Sequence, residues 1–96
     1  MKFVNYIKYI QDEDKVARLR PSHRQYMAKL LAEGKLVAAG PFADGSGALF
    51  IYETETKQAA EALATDDPYV EGGAFASYEI TPWAPVSINV DLLRLT

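Results

Sequence analysis

The sequence contains no cysteine, which excludes a disulfide framework, a thiolate metal site and a cysteine nucleophile together. It has one histidine, His23. With the adjacent Asp66 and Asp67 this makes no recognisable metal-ligand spacing, so no metal site is expected. No apolar run reaches membrane-spanning length, and Met1 to Ile10 lacks a leader's long apolar stretch and cleavage pattern. A cytoplasmic protein that makes no membrane contact is expected. Basic charge is also scarce, with 10 Lys and Arg against 13 Asp and Glu and a formal net charge of -3. No basic stripe is available to neutralise phosphates, so nucleic acid is not an expected partner. A single Arg beside a pocket can still select an anionic small molecule, because local and net charge are separate quantities.

What the chain does have is apolar material. Of its 96 residues 49% are hydrophobic and 11% aromatic. That length suits one domain spanning 1–96, and a small domain has few fully buried positions to hold so much apolar surface. A homodimer that covers part of it is the expected state.

Residues 3–10 are rich in β-branched and aromatic side chains on both alternating faces, as in a strand covered on both sides. Gln11 to Arg20 predicts a short helical turn leading up to Pro21. Proline is favoured at a first helical position, so a helix is expected to restart at Pro21. From there His23, Met27, Leu30 and Leu31 share one face, and Gly34 follows as the C-terminal cap. Residues 35–40 and 47–53 predict a hairpin turning at Asp44-Gly45. Thr54 or Thr56 caps an alanine-rich helix to about Thr65, and Asp67-Pro68 starts a short helix ended by Gly72-Gly73. Residues 76–83 form the last strand of the unit. The order β-α-β-β-α-β is the split βαβ signature of an α+β, ferredoxin-like antiparallel sheet with its helices on one face. The bare face is expected to pack on a second copy. Beyond it Val86, Ile88, Val90 and Leu92 alternate with polar residues, predicting an extra C-terminal strand that joins the partner's sheet edge.

His23 is expected to point toward the sheet. It is either a structural histidine bonded to a backbone carbonyl or a base kept neutral by the dipole of a nearby helix N-terminus. Asp67 is either an ordinary cap before Pro68 or the carboxylate that fixes the imidazole tautomer, and Asp66 is open to either part. Arg20 is either in a surface ion pair with Asp12 or Asp14 or holds a substrate's negative charge. Tyr6, Tyr52 and Tyr78 are expected to serve packing. Ser46 lies in a turn between glycines without the surroundings of a serine nucleophile.

Arg20-Pro21-Ser22-His23, the run Leu30 to Leu36, Ala39-Gly40-Pro41, and Asp66-Asp67-Pro68-Tyr69-Val70 with Gly73 resemble the recurrent segments of the YCII-related family. The likeness covers residues 3–83 as a core and leaves residues 84–96 as an extension longer than usual for the family. It implies a ferredoxin-like dimer related to the dimeric α/β-barrel proteins. It also implies an active site at His23 and Asp67, with Arg20 as a weaker candidate. The wider family includes a lyase that eliminates chloride from a chlorinated aromatic, and the structurally related muconolactone isomerases move protons without a cofactor. The expectation is a lyase or isomerase that needs no cofactor and acts on a small cyclic or aromatic anion. The alternatives are a non-catalytic module that binds a small ligand, and haem chemistry with His23 as axial ligand.

Overall fold

The computed structural model describes residues 1–95. The chain runs β1 (Lys2–Tyr9), α1 (Glu13–Ala32), β2 (Leu36–Pro41), β3 (Gly47–Glu53), α2 (Lys57–Thr65), α3 (Pro68–Glu71) and β4 (Phe75–Trp83). The strands form one antiparallel sheet in the order β2-β3-β1-β4. The α+β, ferredoxin-like architecture therefore stands as expected.

Alternation along β1 sets the two faces of the sheet. Phe3, Asn5 and Ile7 are buried beneath the helices, while Lys2, Val4, Tyr6 and Lys8 face the other way. In register, Phe3 lies opposite Tyr52, and Asn5 lies between Phe50 and Ile80. These residues make the core with Met27 and Leu30 from α1 and Ala60 and Ala64 from α2. A second cluster of Val16, Tyr69 and Ala74 ties the start of α1 to α3 and the approach to β4. Each fully buried large apolar side chain contributes about 1.5–3 kcal/mol relative to exposure.

Caps fix the ends of the helices. Asp12, Thr56 and Asp67 each accept a bond from a first-turn amide of the helix that follows. At the far end of α1, Gly34 adopts φ 71°, and Lys35 N–H reaches the Leu30 carbonyl at 2.9 Å while Gly34 N–H reaches that of Leu31 at 3.2 Å. That paired closure needs a residue free to take positive φ, which glycine does without strain.

Two expectations are corrected. The stretch before Pro21 and the helix after it are one continuous helix, with Pro21 in its interior. Proline lacks the N–H that would bond the Ala17 carbonyl, but its ring is exposed and the helix is anchored on both sides by Val16 and by His23, Met27 and Leu30. Nor does the alternating tail form the extra strand. Residues 84–89 carry no regular structure, and Val90–Leu93 is a single 3-10 turn. Asn89 drives this locally, its side chain accepting from the amides of Asp91 and Leu92. Such a local side-chain bond offers the backbone an alternative to a strand ladder. Among the described residues, no helix is long and apolar enough to cross a membrane.

Candidate functional site

A cavity of about 870 Å³ opens between α1 and the end of the sheet where β2 and β3 meet. One wall is the α1 face that carries Arg20, His23, Arg24, Met27 and Leu31, brought into line by 3.6 residues per turn. The other is the β2–β3 end, with Leu36, Ala39, Pro41, Phe42 and Phe50. Tyr9 and Tyr69 complete the lining near His23.

His23 is held by contacts from distant parts of the chain. Its Nδ1 lies 2.9 Å from Oδ1 and 3.0 Å from Oδ2 of Asp67. Asp67 is fully buried, and its Oδ1 also accepts the Tyr69 amide at 2.9 Å. Capping and pairing are thus done by one carboxylate. Asp66, by contrast, is exposed at the end of α2. The imidazole is stacked on both faces, 4.0 Å from the Tyr69 ring and 5.3 Å from that of Phe50 between centroids. With Asp67 accepting from Nδ1–H, a neutral imidazole carries its lone pair on Nε2, which takes no partner among the described residues. The faces and the Nδ1 edge being occupied, the Nε2 edge is the one left to the cavity.

Because α1 starts at Glu13, His23 lies in mid-helix. The helix dipole falls off within the first turn, so it does not govern this ring as the sequence suggested. The Asp67 carboxylate does. It favours the tautomer with a bare Nε2, and it balances the charge when Nε2 gains a proton.

Arg20 lines the same cavity, and among the described residues it makes no ion pair with Asp12, Asp14 or any other acid. Arg24, one turn further on, is in the same position. The sequence reading missed it, although its i+4 offset from Arg20 was visible. Tyr69 and Phe50 were also missed as the two plates around His23. Tyr69 stood within the Asp-Asp-Pro-Tyr-Val segment, but Phe50 gave only a core-strand signal. Two tyrosines near the site stay protonated. Burial pushes the Tyr9 phenol up to about 12, with Tyr69 and Asp67 adding to the shift and Arg20 opposing it. Burial, then Asp66 and Asp67, push Tyr26 up to about 12, and its hydroxyl donates to the Leu63 carbonyl at 2.7 Å. That bond ties α1 to the end of α2, just before Asp67. Among the described residues, no group of three or more His, Cys, Asp or Glu side chains is placed to hold a metal ion.

The model of the YCII-related domain matches residues 1–84. The chain belongs to the YCII-related family. Protein YciI of Escherichia coli O6:H1 is similar, with 33% identity over 95 residues covering 84% of this chain and 97% of the relative. An uncharacterized Haemophilus influenzae protein is 32% identical over the same shares. Among solved structures, the fold is similar to 5-chloro-2-hydroxyhydroquinone dehydrochlorinase, TftG, of Burkholderia phenoliruptrix AC1100, in complex with 2,5-dihydroxybenzoquinone. Its TM-score is 0.76 at 24% identity, covering 88% of this chain and 94% of that one. It is also similar to an antibiotic biosynthesis monooxygenase, with TM-score 0.55 and 17% identity over 88% of this chain and all of the other. These likenesses show the α+β, ferredoxin-like fold. The YCII match stops at residue 84, where the regular sheet has just ended, and the tail lies beyond it.

Proposed function

We propose that this YCII-family protein is a lyase or isomerase, needing no cofactor, that moves a proton or eliminates a leaving group on a small cyclic or aromatic anion. A role in processing small molecules accords with its structural neighbours. The observation that supports the finer reading is the His23–Asp67 pair, whose imidazole lines a cavity of about 870 Å³.

In this reading His23 is the general base. Nε2 takes a proton from a carbon or oxygen of the ligand, and the electron pair released either expels a leaving group or shifts a double bond. In an isomerisation the imidazolium returns the proton to another carbon. In an elimination it passes the proton to solvent. Asp67 keeps the tautomer and balances the imidazolium, and Arg20 holds the ligand's negative charge. Positioned proton transfer of this kind contributes about 10²- to 10⁴-fold. The open sheet face carries half-buried Val4, Leu49 and Ile51 beside the exposed rings of Tyr6 and Trp83. It supports assembly as a homodimer through that face.

The test uses 2,5-dihydroxybenzoquinone, the compound seen in the TftG complex. In D2O the wild type is expected to speed exchange of the probe's ring hydrogens. His23→Ala is expected to bind the probe and lose about 10²-fold or more of that rate. A second reading, a non-catalytic module for small ligands, draws on His23 being only 7% exposed and its ring stacked on both faces. Binding without any exchange by the wild type would favour it.

A further inference from the structure

Tyr9 is a polar side chain at the His23 cavity to which the preceding reading gives no task. We propose that its hydroxyl donates a hydrogen bond to the same anionic ligand oxygen that Arg20 attracts, an inference that rests on the proposed function.

The backbone supplies the first observation. The β1–β4 register pairs Lys8 with Ser77 and then Tyr9 with Phe75, so the ladder shifts between Lys8 and Tyr9. A shift of this kind re-aims the side chain that follows it. The new direction is fixed from both sides, because Tyr9 N–H bonds the Ser46 carbonyl at 3.1 Å and Ile10 N–H bonds that of Ala74 at 2.9 Å. Tyr9 lines the His23 cavity with Arg20.

Packing supplies the second. The Tyr9 ring meets Tyr69 edge-on, with centroids 5.7 Å apart and planes at 68°, and Tyr69 in turn stacks on His23. Tyr9 is therefore held in a fixed relation to the imidazole. Phenylalanine would serve this packing equally, as Phe75 does against both rings. The hydroxyl has that of Tyr69 as its polar neighbour, a contact that helps keep the Tyr9 proton in place. Among the described residues, Asn5 bonds the Tyr52 hydroxyl and Tyr26 bonds the Leu63 carbonyl, while no acceptor takes a well-formed bond from Tyr9.

The third is chemical. A phenol that burial keeps protonated offers a donor throughout the neutral range. Beside the Arg20 guanidinium it makes a seat of one cation and one neutral donor. Such a seat suits an oxyanion of the phenolate or enolate class, since hydrogen bonds to charged acceptors are the stronger ones. His23 and the Tyr9–Arg20 seat then address separate atoms of one ligand.

Tyr9→Phe tests this, because it removes the oxygen and keeps the ring. Calorimetric titration with 2,5-dihydroxybenzoquinone is expected to show binding weaker by about tenfold to hundredfold than in the wild type, the range lost with one hydrogen bond to a charged group. The thermal midpoint is expected to stay at the wild-type value. Unchanged affinity in Tyr9→Phe, in a protein whose wild type exchanges the probe's hydrogens through His23, overturns this inference alone. A wild type that does not bind the probe overturns it together with the proposed function.

Discussion

Asp67 meets His23 with both carboxylate oxygens near one ring nitrogen, Oδ1 at 2.9 Å and Oδ2 at 3.0 Å from Nδ1, across 44 residues of sequence. The pairing joins the middle of α1 to the start of α3, and the same carboxylate caps α3 through the Tyr69 amide. One side chain thus holds both an imidazole edge and a helix start. Replacing it separates the two tasks.

Asp67→Asn keeps a capping side chain but removes the charge that balances an imidazolium. It is expected to bind 2,5-dihydroxybenzoquinone and lose about 10²-fold of the exchange rate. Asp67→Ala also strips the Tyr69 amide and the buried ring of their partner, at a cost in folding stability of about 2–4 kcal/mol. Urea unfolding of the two variants checks the difference.

Stability is expected to fall on the alkaline side. Burial raises Tyr9 and Tyr26 from 10.0 to about 12, and raises Tyr52 as well. The folded chain therefore keeps protons that the unfolded chain has released, so this contribution is full below pH 10 and is lost as pH rises to about 12. Tyr26→Phe should flatten the decline. On the acid side, Lys2 and the amino terminus hold Glu53 at about 2 instead of 4.5. The unfolded state binds more protons in that window, so this smaller, surface contribution is full above pH 4.5 and fades as pH falls toward 2. Thermal midpoints from pH 2 to pH 12 record both limbs.

The end of the β2–β3 hairpin depends on a close approach. A Cβ on Gly47 would run into the Ile7 carbonyl, which is backbone and has little freedom to move aside, whereas one on Gly40 would meet open space. Gly47→Ala is expected to destabilise by about 2 kcal/mol or more and Gly40→Ala to stay within about 0.5 kcal/mol of the wild type. Chemical denaturation of the pair measures the contrast.

The open sheet face gives a prediction about assembly. Light scattering is expected to give the wild type a mass twice that of the chain. Tyr6→Glu should shift it to monomer, because it places a charge on each of two apposed faces that now carry Tyr6, half exposed, beside Val4 and Ile51. A wild type that stays monomeric at high concentration would contradict the dimer.

Local chemistry made much of this readable in advance. The bounds of β3 follow from the apolar run after the Asp44-Gly45 turn, and the Asp67-Pro68 start of α3 and the Gly34 closure of α1 follow from cap and positive-φ preferences. The Pro21 reading failed because proline's preference for a helix start is weaker than packing on both sides of it. The tail reading failed because alternation took no account of Asn89, whose side chain bonds the amides of Asp91 and Leu92 and starts a 3-10 turn. Phe50 and Tyr69 around His23, and the meeting of Tyr9 and Arg20 at one cavity, depend on contacts between segments far apart in sequence. Residue types alone carry no record of those contacts.

The most direct measurement is nitrogen-15 NMR of the His23 side chain at neutral pH, with and without saturating 2,5-dihydroxybenzoquinone. The account predicts a free protein with the proton on Nδ1 and a bare Nε2, and an Nε2 resonance that moves when the probe binds. A proton resident on Nε2, or an imidazole that the bound probe leaves unmoved, would contradict it.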